Sequence, residues 1–299
     1  MAFPLVNITM VTYNRLALTQ KSVASVLEKT HGHYQLTIVD NASTDGTRGY
    51  LEALQGSHAH VAVKLLPENM GVAVAANFGW SMQRSPYYVK LDNDVEILNA
   101  EWLTSLIAAV ENDATIGQAG HRLLEKLSVE EDTLANGRPF YTAACCNGAC
   151  VLIPAYIHKQ FGFWNEDYGL YGYEDLDYSN RLTQHGFRVG YTSLEGYAVH
   201  HGYIQETRSE EIETAKQLNI TSKRYGEQLY VLNKFLFDNN IRPVYVNRKH
   251  MPHFTENGDI IFSINKKYAS ITALLEMYYD KISYTADDKN IYINISLLK

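Results

Sequence analysis

The feature that most restricts the fold of this chain is an alternation in its first hundred residues. Short apolar runs are each closed by a polar segment and separated by stretches of helical periodicity. Val6 to Thr12, Gln35 to Asp40, Val61 to Leu66 and Tyr87 to Leu91 predict strands. Leu16 to Leu27, Thr47 to Leu54 and Val72 to Met82 carry apolar residues at three- and four-residue spacing and predict helices. Units of this kind build parallel strands joined by crossover helices. The expected class is therefore α/β, a Rossmann-like mixed and mainly parallel sheet flanked by helices.

In such sheets ligands bind beyond the carboxyl ends of the strands. The segments in those positions are Thr12-Tyr13-Asn14-Arg15, Asp40 to Gly46, Glu68-Asn69-Met70-Gly71 and Asp92-Asn93-Asp94, and all four are expected to line one crevice. No Gly-x-Gly-x-x-Gly loop follows the first strand, which argues against a dinucleotide-dependent oxidoreductase, and no P-loop is present. A sugar nucleotidylyltransferase would need a Gly-rich triphosphate loop where Thr12 to Arg15 stand. A non-catalytic nucleotide-sugar or glycan-binding protein is the alternative from a different class.

Composition narrows the partners. Lys plus Arg number 26 against 33 Asp plus Glu, a formal net charge of −7, so no broad basic surface for nucleic acid is expected. No apolar stretch approaches the roughly 18 to 20 residues needed to span a bilayer. The N-terminus leads into a strand without the pattern of a signal peptide. These readings predict a cytoplasmic protein without a transmembrane segment, with peripheral attachment at a membrane left open. Cys145, Cys146 and Cys150 suit neither a disulfide framework nor a spaced zinc site and are expected to be small reduced core residues. Tyr168, Tyr171, Tyr173 and Tyr178 crowd together, either to stack on a ligand or to form a half-buried loop.

The middle of the chain is less regular, with a strand expected at Ala149 to Pro154 and a helix opening near Glu174. Beyond about residue 205 the character changes. Glu206 to Asn239 reads as helical, Asp259 to Ile264 and Asn290 to Leu297 as strands, and Ser270 to Met277 as a helix. The expected organisation is a catalytic domain over 1–205 and a small α+β appendage over 206–299, serving oligomerisation or acceptor binding.

Asp92-Asn93-Asp94 follows a strand directly, where carboxylates two residues apart can face one crevice. Hard oxygens suit Mg²⁺ or Mn²⁺, which complete their shells with phosphate oxygens. Solvated turns use the same residue types, so the motif gains meaning only from its companions.

Those companions carry a resemblance. Val11-Thr12-Tyr13-Asn14, Val39 to Thr47, Glu68-Asn69-Met70-Gly71 with Asn77-Phe78-Gly79, and Leu91-Asp92-Asn93-Asp94 follow the order and spacing of family 2 glycosyltransferases of the GT-A fold. The match continues through Asn147 to Cys150, Tyr173 to Asp177 and Val199 to Gly202, so it spans about residues 5 to 203. It looks most like the rhamnosyltransferase-like branch.

The resemblance implies an inverting, metal-dependent transfer of a sugar from a UDP- or dTDP-sugar to a hydroxyl on a glycan, a lipid-linked acceptor or another molecule. It implies that Asp40 accepts a hydrogen bond from the donor base, and that Thr12, Asn14 and Arg15 flank base and ribose. Arg15 could instead make only a surface ion pair. Asn69 and Gly71 would line the nucleotide, with Asn93 beside them. Asp94 would bind Mn²⁺ or Mg²⁺ directly, Asp92 would reach ribose or metal, and His200, rather than His201, would complete the site. Asp175 would be the general base, with Glu174 its neighbour, while Asp177 suits an ion pair with Arg181. One departure stands upstream: the usual Gly-Phe-Asp-Glu element reads Gly162-Phe163-Trp164-Asn165-Glu166-Asp167. Trp164 there suits either sugar stacking or core packing.

Overall fold

The computed structural model describes residues 6–123, 128–168, 170, 172–203, 248–256, 260–266, 283–286 and 291–294. The first half runs β1 (Val6–Thr12), α1 (Leu16–Lys29), β2 (Tyr34–Asp40), α2 (Thr47–Ser57), β3 (Val61–Leu65), α3 (Val72–Met82) and β4 (Tyr87–Asp92). The expected elements are all there, with ends shifted by at most three residues. β1 is buried along its whole length because helices cover both faces of a parallel sheet. On one face Ile8, Met10, Val23, Val26 and Ile38 share a core, where each fully buried aliphatic side chain contributes about 1.5–3 kcal/mol. On the other, α3 lies directly on β1 because residue 79 is glycine; a Cβ there would strike the Thr9 side chain.

The middle is more ordered than its sequence suggests. After β5 (Val95–Ile97) and α4 (Trp102–Asn112) come β6 (Ile116–His121), β7 (Val129–Thr133), β8 (Pro139–Ala143) and β9 (Cys150–Pro154). They are followed by α5 (Ala155–Phe161), α6 (Glu174–Gln184), β10 (Arg188–Ser193) and β11 (Ala198–His200). Of the elements after α4, β9 and α6 were expected. β6 reads Ile-Gly-Gln-Ala-Gly-His and β7 reads Val-Glu-Glu-Asp-Thr, neither of them an apolar run. Their pairing comes from neighbouring strands.

The main sheet has the order β3-β2-β1-β4-β9-β6-β10-β8-β7. β1, β2, β3 and β4 are mutually parallel neighbours, and β9 runs antiparallel to both β4 and β6. This is the mixed, mainly parallel sheet flanked by helices that the sequence predicts. The chain leaves β1 toward β2 and later returns on its other side as β4, so a crevice opens beyond the ends of β1 and β4.

Near the C-terminus β12 (His250–Phe254) pairs with β13 (Ile260–Ile264), and β14 (Ser283–Ala286) with β15 (Ile291–Asn294). The expected helices at 206–239 and 270–277 lie outside the described residues. The β12–β13 hairpin packs on α3: the Phe262 and Phe78 ring centroids are 3.9 Å apart. Arg248 donates to the Asn77 carbonyl at 3.0 Å and to Ser81 Oγ, and Glu166 Oε2 accepts from Lys249 N at 2.8 Å. Among the described residues no helix is long and apolar enough to cross a membrane.

All three thiols are free, and Cys146 and Cys150 are buried. Trp164 is also core, 1% exposed and edge-on to Trp80 at 5.1 Å. Of the crowded tyrosines, Tyr168 and Tyr178 point inward, donating to Asp177 Oδ1 at 3.0 Å and to the Gly162 carbonyl at 3.1 Å. Tyr171 lies outside the described residues.

Candidate active site

Strand register assembles the crevice. Thr12 is paired with Asp40 on β2, and Val11 with Asp92 on β4, so three polar strand ends stand side by side at the ladder spacing of about 4.8 Å. The loops beyond them are locked together. Asn14 and Arg15 adopt left-handed φ values of 55° and 62°. Asn14 N donates to Ser43 Oγ at 2.7 Å, and Asn14 Oδ1 accepts from Thr44 N at 2.8 Å. The Asn41 amide bridges onward, donating to the Gly71 carbonyl and accepting from Met70 N. Asn69 Oδ1 closes the same turn on Gly71 N at 3.1 Å, and Gly71 adopts φ 90°, ψ 167°, which glycine permits.

Two expected nucleotide-lining side chains turn inward. Asn93 Nδ2 donates to Thr12 Oγ1 at 3.1 Å and to Thr19 Oγ1 at 2.9 Å, and Thr12 is fully buried. Asn93 thus ties β4 to α1, and Thr12 offers the crevice no side-chain polar group beyond that network. Asp40 differs. Its Oδ2 accepts from Ser43 N at 3.0 Å and lies 3.5 Å from Arg48 Nε, while Oδ1 is buried with no hydrogen-bond partner among the described residues. A buried carboxylate oxygen is costly to leave unpaired, so this atom suits a donor supplied by a ligand.

The acidic residues after β4 meet a histidine from far along the chain. β11 pairs antiparallel with β5, placing His200 opposite Val95. His200 Nε2 is then 3.3 Å from Asp94 Oδ1 and 3.8 Å from Asp92 Oδ2. Asp92, Asp94 and His200 can each present a ligand atom within 4.8 Å of the others. His201 turns away, with Nε2 2.7 Å from Glu96 Oε2 and 3.1 Å from Lys21 Nζ. Two carboxylate oxygens suit Mn²⁺ or Mg²⁺, and the added imidazole nitrogen favours Mn²⁺ of the two. Gly202 makes room: a Cβ there would collide with Asp94 Oδ2 and approach His200 Cε1 to 3.0 Å. Arg15 makes an ion pair, reaching Asp94 Oδ2 through Nη1 at 2.7 Å.

Lys90, which the sequence reading passed over, is 1% exposed and pairs with Asp92. Its Nζ also lies 5.9 Å from the Trp164 ring centroid. Burial would raise the Asp92 carboxyl, but Lys90 and His200 outweigh it and hold it at about 2. Asp94 is raised, by burial and then by the neighbouring Asp92 charge. The detectable signal for Lys90 was a cation inside the otherwise apolar run Tyr87 to Leu91, which must be paired where it is buried.

At the start of α6, Asp175 accepts from Gly148 N and Leu176 N. Burial raises its carboxyl, with those two N–H groups pulling the other way. Glu174 is buried and pushed up to about 8, by burial and then by the Asp175 charge. Asp177 instead accepts from Arg181 Nε at 3.0 Å, a buried ion pair. Asn77 braces this region from α3, exchanging hydrogen bonds with the backbone of Trp164 at 2.9 and 3.1 Å.

Residues 7–173 match the profile described as Glycosyl transferase family 2. The chain belongs to this family. Among curated relatives, TuaG of Bacillus subtilis, a glycosyltransferase provisionally assigned to teichuronic acid biosynthesis, is 37% identical over 91 residues. That segment covers 30% of this chain and only 36% of TuaG. Among solved structures, GalNAc-T7 with UDP, GalNAc and Mn²⁺ superposes with a TM-score of 0.56 at 14% identity, over 66% of this chain and 44% of that one. The mannosyltransferase PcManGT from Pyrobaculum calidifontis, in complex with GDP-Man and Mn²⁺, gives 0.52 at 18%, over 66% and 58%. Such identities establish the shared fold alone. None of the relatives named here carries a rhamnosyltransferase assignment.

Proposed function

We propose that this protein is an inverting, metal-dependent glycosyltransferase that moves a sugar from a pyrimidine nucleoside diphosphate to an acceptor hydroxyl by single displacement. The observation that carries this reading is a backbone tie between the two acidic clusters. Asp92 N donates to the Ala149 carbonyl at 2.9 Å, and the adjacent Gly148 N donates to Asp175 Oδ2 at 2.9 Å, so the metal-type cluster and the proposed base are held close together.

In this reading Asp40 Oδ1 accepts from the base, which suits UDP and dTDP alike. Asp92, Asp94 and His200 would hold Mn²⁺ or Mg²⁺, which neutralises diphosphate charge when bound. Asp175 takes the acceptor proton as the hydroxyl oxygen bonds to the anomeric carbon and the bond to the diphosphate breaks. Configuration inverts because the nucleophile enters opposite the leaving group. The rhamnosyltransferase-like resemblance makes dTDP-rhamnose an early donor to screen. Acceptors to offer include hydroxyl-bearing glycans and lipid-linked saccharides. Residues 1–205 supply the proposed catalytic groups. The β12–β13 hairpin, braced on Asn77 and Glu166, supports an acceptor-side role for the later segment.

The test is donor hydrolysis and transfer across UDP- and dTDP-sugars with Mn²⁺ and Mg²⁺. Turnover of one donor, lost with chelator and in Asp94→Ala, is expected. Turnover unaffected by chelation overturns the metal-dependent reading, and donor binding without any turnover favours a non-catalytic binding protein.

A further inference from the structure

We propose that Arg15 couples cation binding to nucleotide binding: its guanidinium neutralises Asp94, and passes to the donor diphosphate when a divalent cation takes that carboxylate. This rests on the site reading above and deepens it. Arg15 Nη1 donates to Asp94 Oδ2 at 2.7 Å, yet the side chain is 56% exposed and this bond uses one of its five N–H donors. A planar guanidinium fork matches phosphate oxygens better than any other side chain.

Asp94 does not need Arg15 to hold its position. Its side chain is 5% exposed, packed where Gly202 leaves no room for a Cβ. Oδ1 faces His200, and the Asp94 carbonyl accepts from His201 N at 2.8 Å. The Arg15 backbone is fixed as well, by the Asn14 clasp on Ser43 and Thr44. What can move is the long exposed side chain between them. Arg15 and a dication therefore draw on one carboxylate from opposite sides. A dication and a guanidinium roughly 5 Å apart repel enough, even at the full dielectric of water, to change affinity by at least about tenfold. A diphosphate entering with the cation relieves that repulsion by accepting the guanidinium, so each ligand strengthens the other.

The experiment compares Mn²⁺ affinity with and without saturating UDP in the wild type, Arg15→Met and Arg15→Lys. For Arg15→Met, Mn²⁺ alone is expected to bind about tenfold tighter, because a competing charge is gone. The factor by which UDP improves Mn²⁺ affinity should fall by at least about tenfold. Arg15→Lys, which keeps charge without the fork, should leave Mn²⁺ alone near the wild-type value with intermediate coupling. Mn²⁺ affinity that is weaker or unchanged in Arg15→Met makes Arg15 a brace for Asp94 and overturns the proposal, as does undiminished coupling. The Mn²⁺-alone comparison does not depend on which base the donor carries. Wild-type Mn²⁺ affinity that survives Asp94→Ala would overturn the site reading itself, an outcome separate from the Arg15 comparison.

Discussion

Gly148 donates its backbone N–H to Asp175 Oδ2 at 2.9 Å, while the Leu176 N–H reaches Oδ1 at 2.8 Å. Both oxygens are therefore aimed by backbone groups that cannot rotate away, and each keeps a further lone pair. The close approach needs glycine, since a Cβ at 148 would come within 2.8 Å of the Trp164 ring. Asparagine at 175 can keep only one of the two bonds and cannot take a proton. Asp175→Asn should lower kcat by about 10² to 10⁴-fold. The lost hydrogen bond should cost about 1–3 kcal/mol, and nucleotide Kd should hold. Turnover near the wild-type value would remove Asp175 as the base.

Glu174 leads to a pH experiment. Its folded carboxyl is pushed up to about 8, above the ordinary unfolded value of about 4.3, so the folded chain holds the proton more tightly. The associated stability is complete below the unfolded value and is lost as pH rises through about 8. Glu174→Gln mimics the protonated form and lacks this dependence. Its melting temperature should gain on the wild type steadily from about pH 4.5 to pH 8 and level off above. The limiting slope is about 1.4 kcal/mol per pH unit. Parallel melting curves across that range would contradict the assignment.

Lys90→Met removes the buried cation that pairs with Asp92. Breaking a buried pair leaves its partner charge uncompensated, which costs on the order of 3 kcal/mol, and less where Asp92 is partly exposed. Both stability in urea and kcat are expected to fall, with kcat down more than about tenfold. Undiminished stability would show that Asp92 finds another partner.

Gly202→Ala tests the cradle behind Asp94. The added Cβ meets Asp94 Oδ2 and His200, so Mn²⁺ affinity should weaken by at least about tenfold, as expected when a group supporting metal ligands is disturbed. This is opposite in sign to the effect expected for Arg15→Met. Calorimetric titration of Mn²⁺ into both variants checks the pair together.

Much of the fold was legible because β1 to β4 and α1 to α3 carry their own periodicity. β1 and α3 were read to the residue, and the ends of β1, β2 and β4 marked the crevice. β6, β7 and β8 were not legible, since strands such as Val129–Thr133 are polar and hold their place only through neighbours. The site divides in the same way. Asp40, Asp92 and Asp94 sit at strand ends, where sequence order alone puts polar groups near one another.

The sequence by itself determined the sheet class, the polar strand ends and the types of ligand atom available. Tertiary structure alone decided which of them meet. His200 joins Asp94 because β11 pairs with β5, and His201, one residue on, turns to Glu96. Arg15 reaches Asp94, Asn93 folds inward onto Thr12, and Lys90 finds Asp92. The physical reason is that periodicity reports which face of its own element a side chain occupies. Contacts between residues far apart in the chain depend on register, backbone turns and the burial that follows from them.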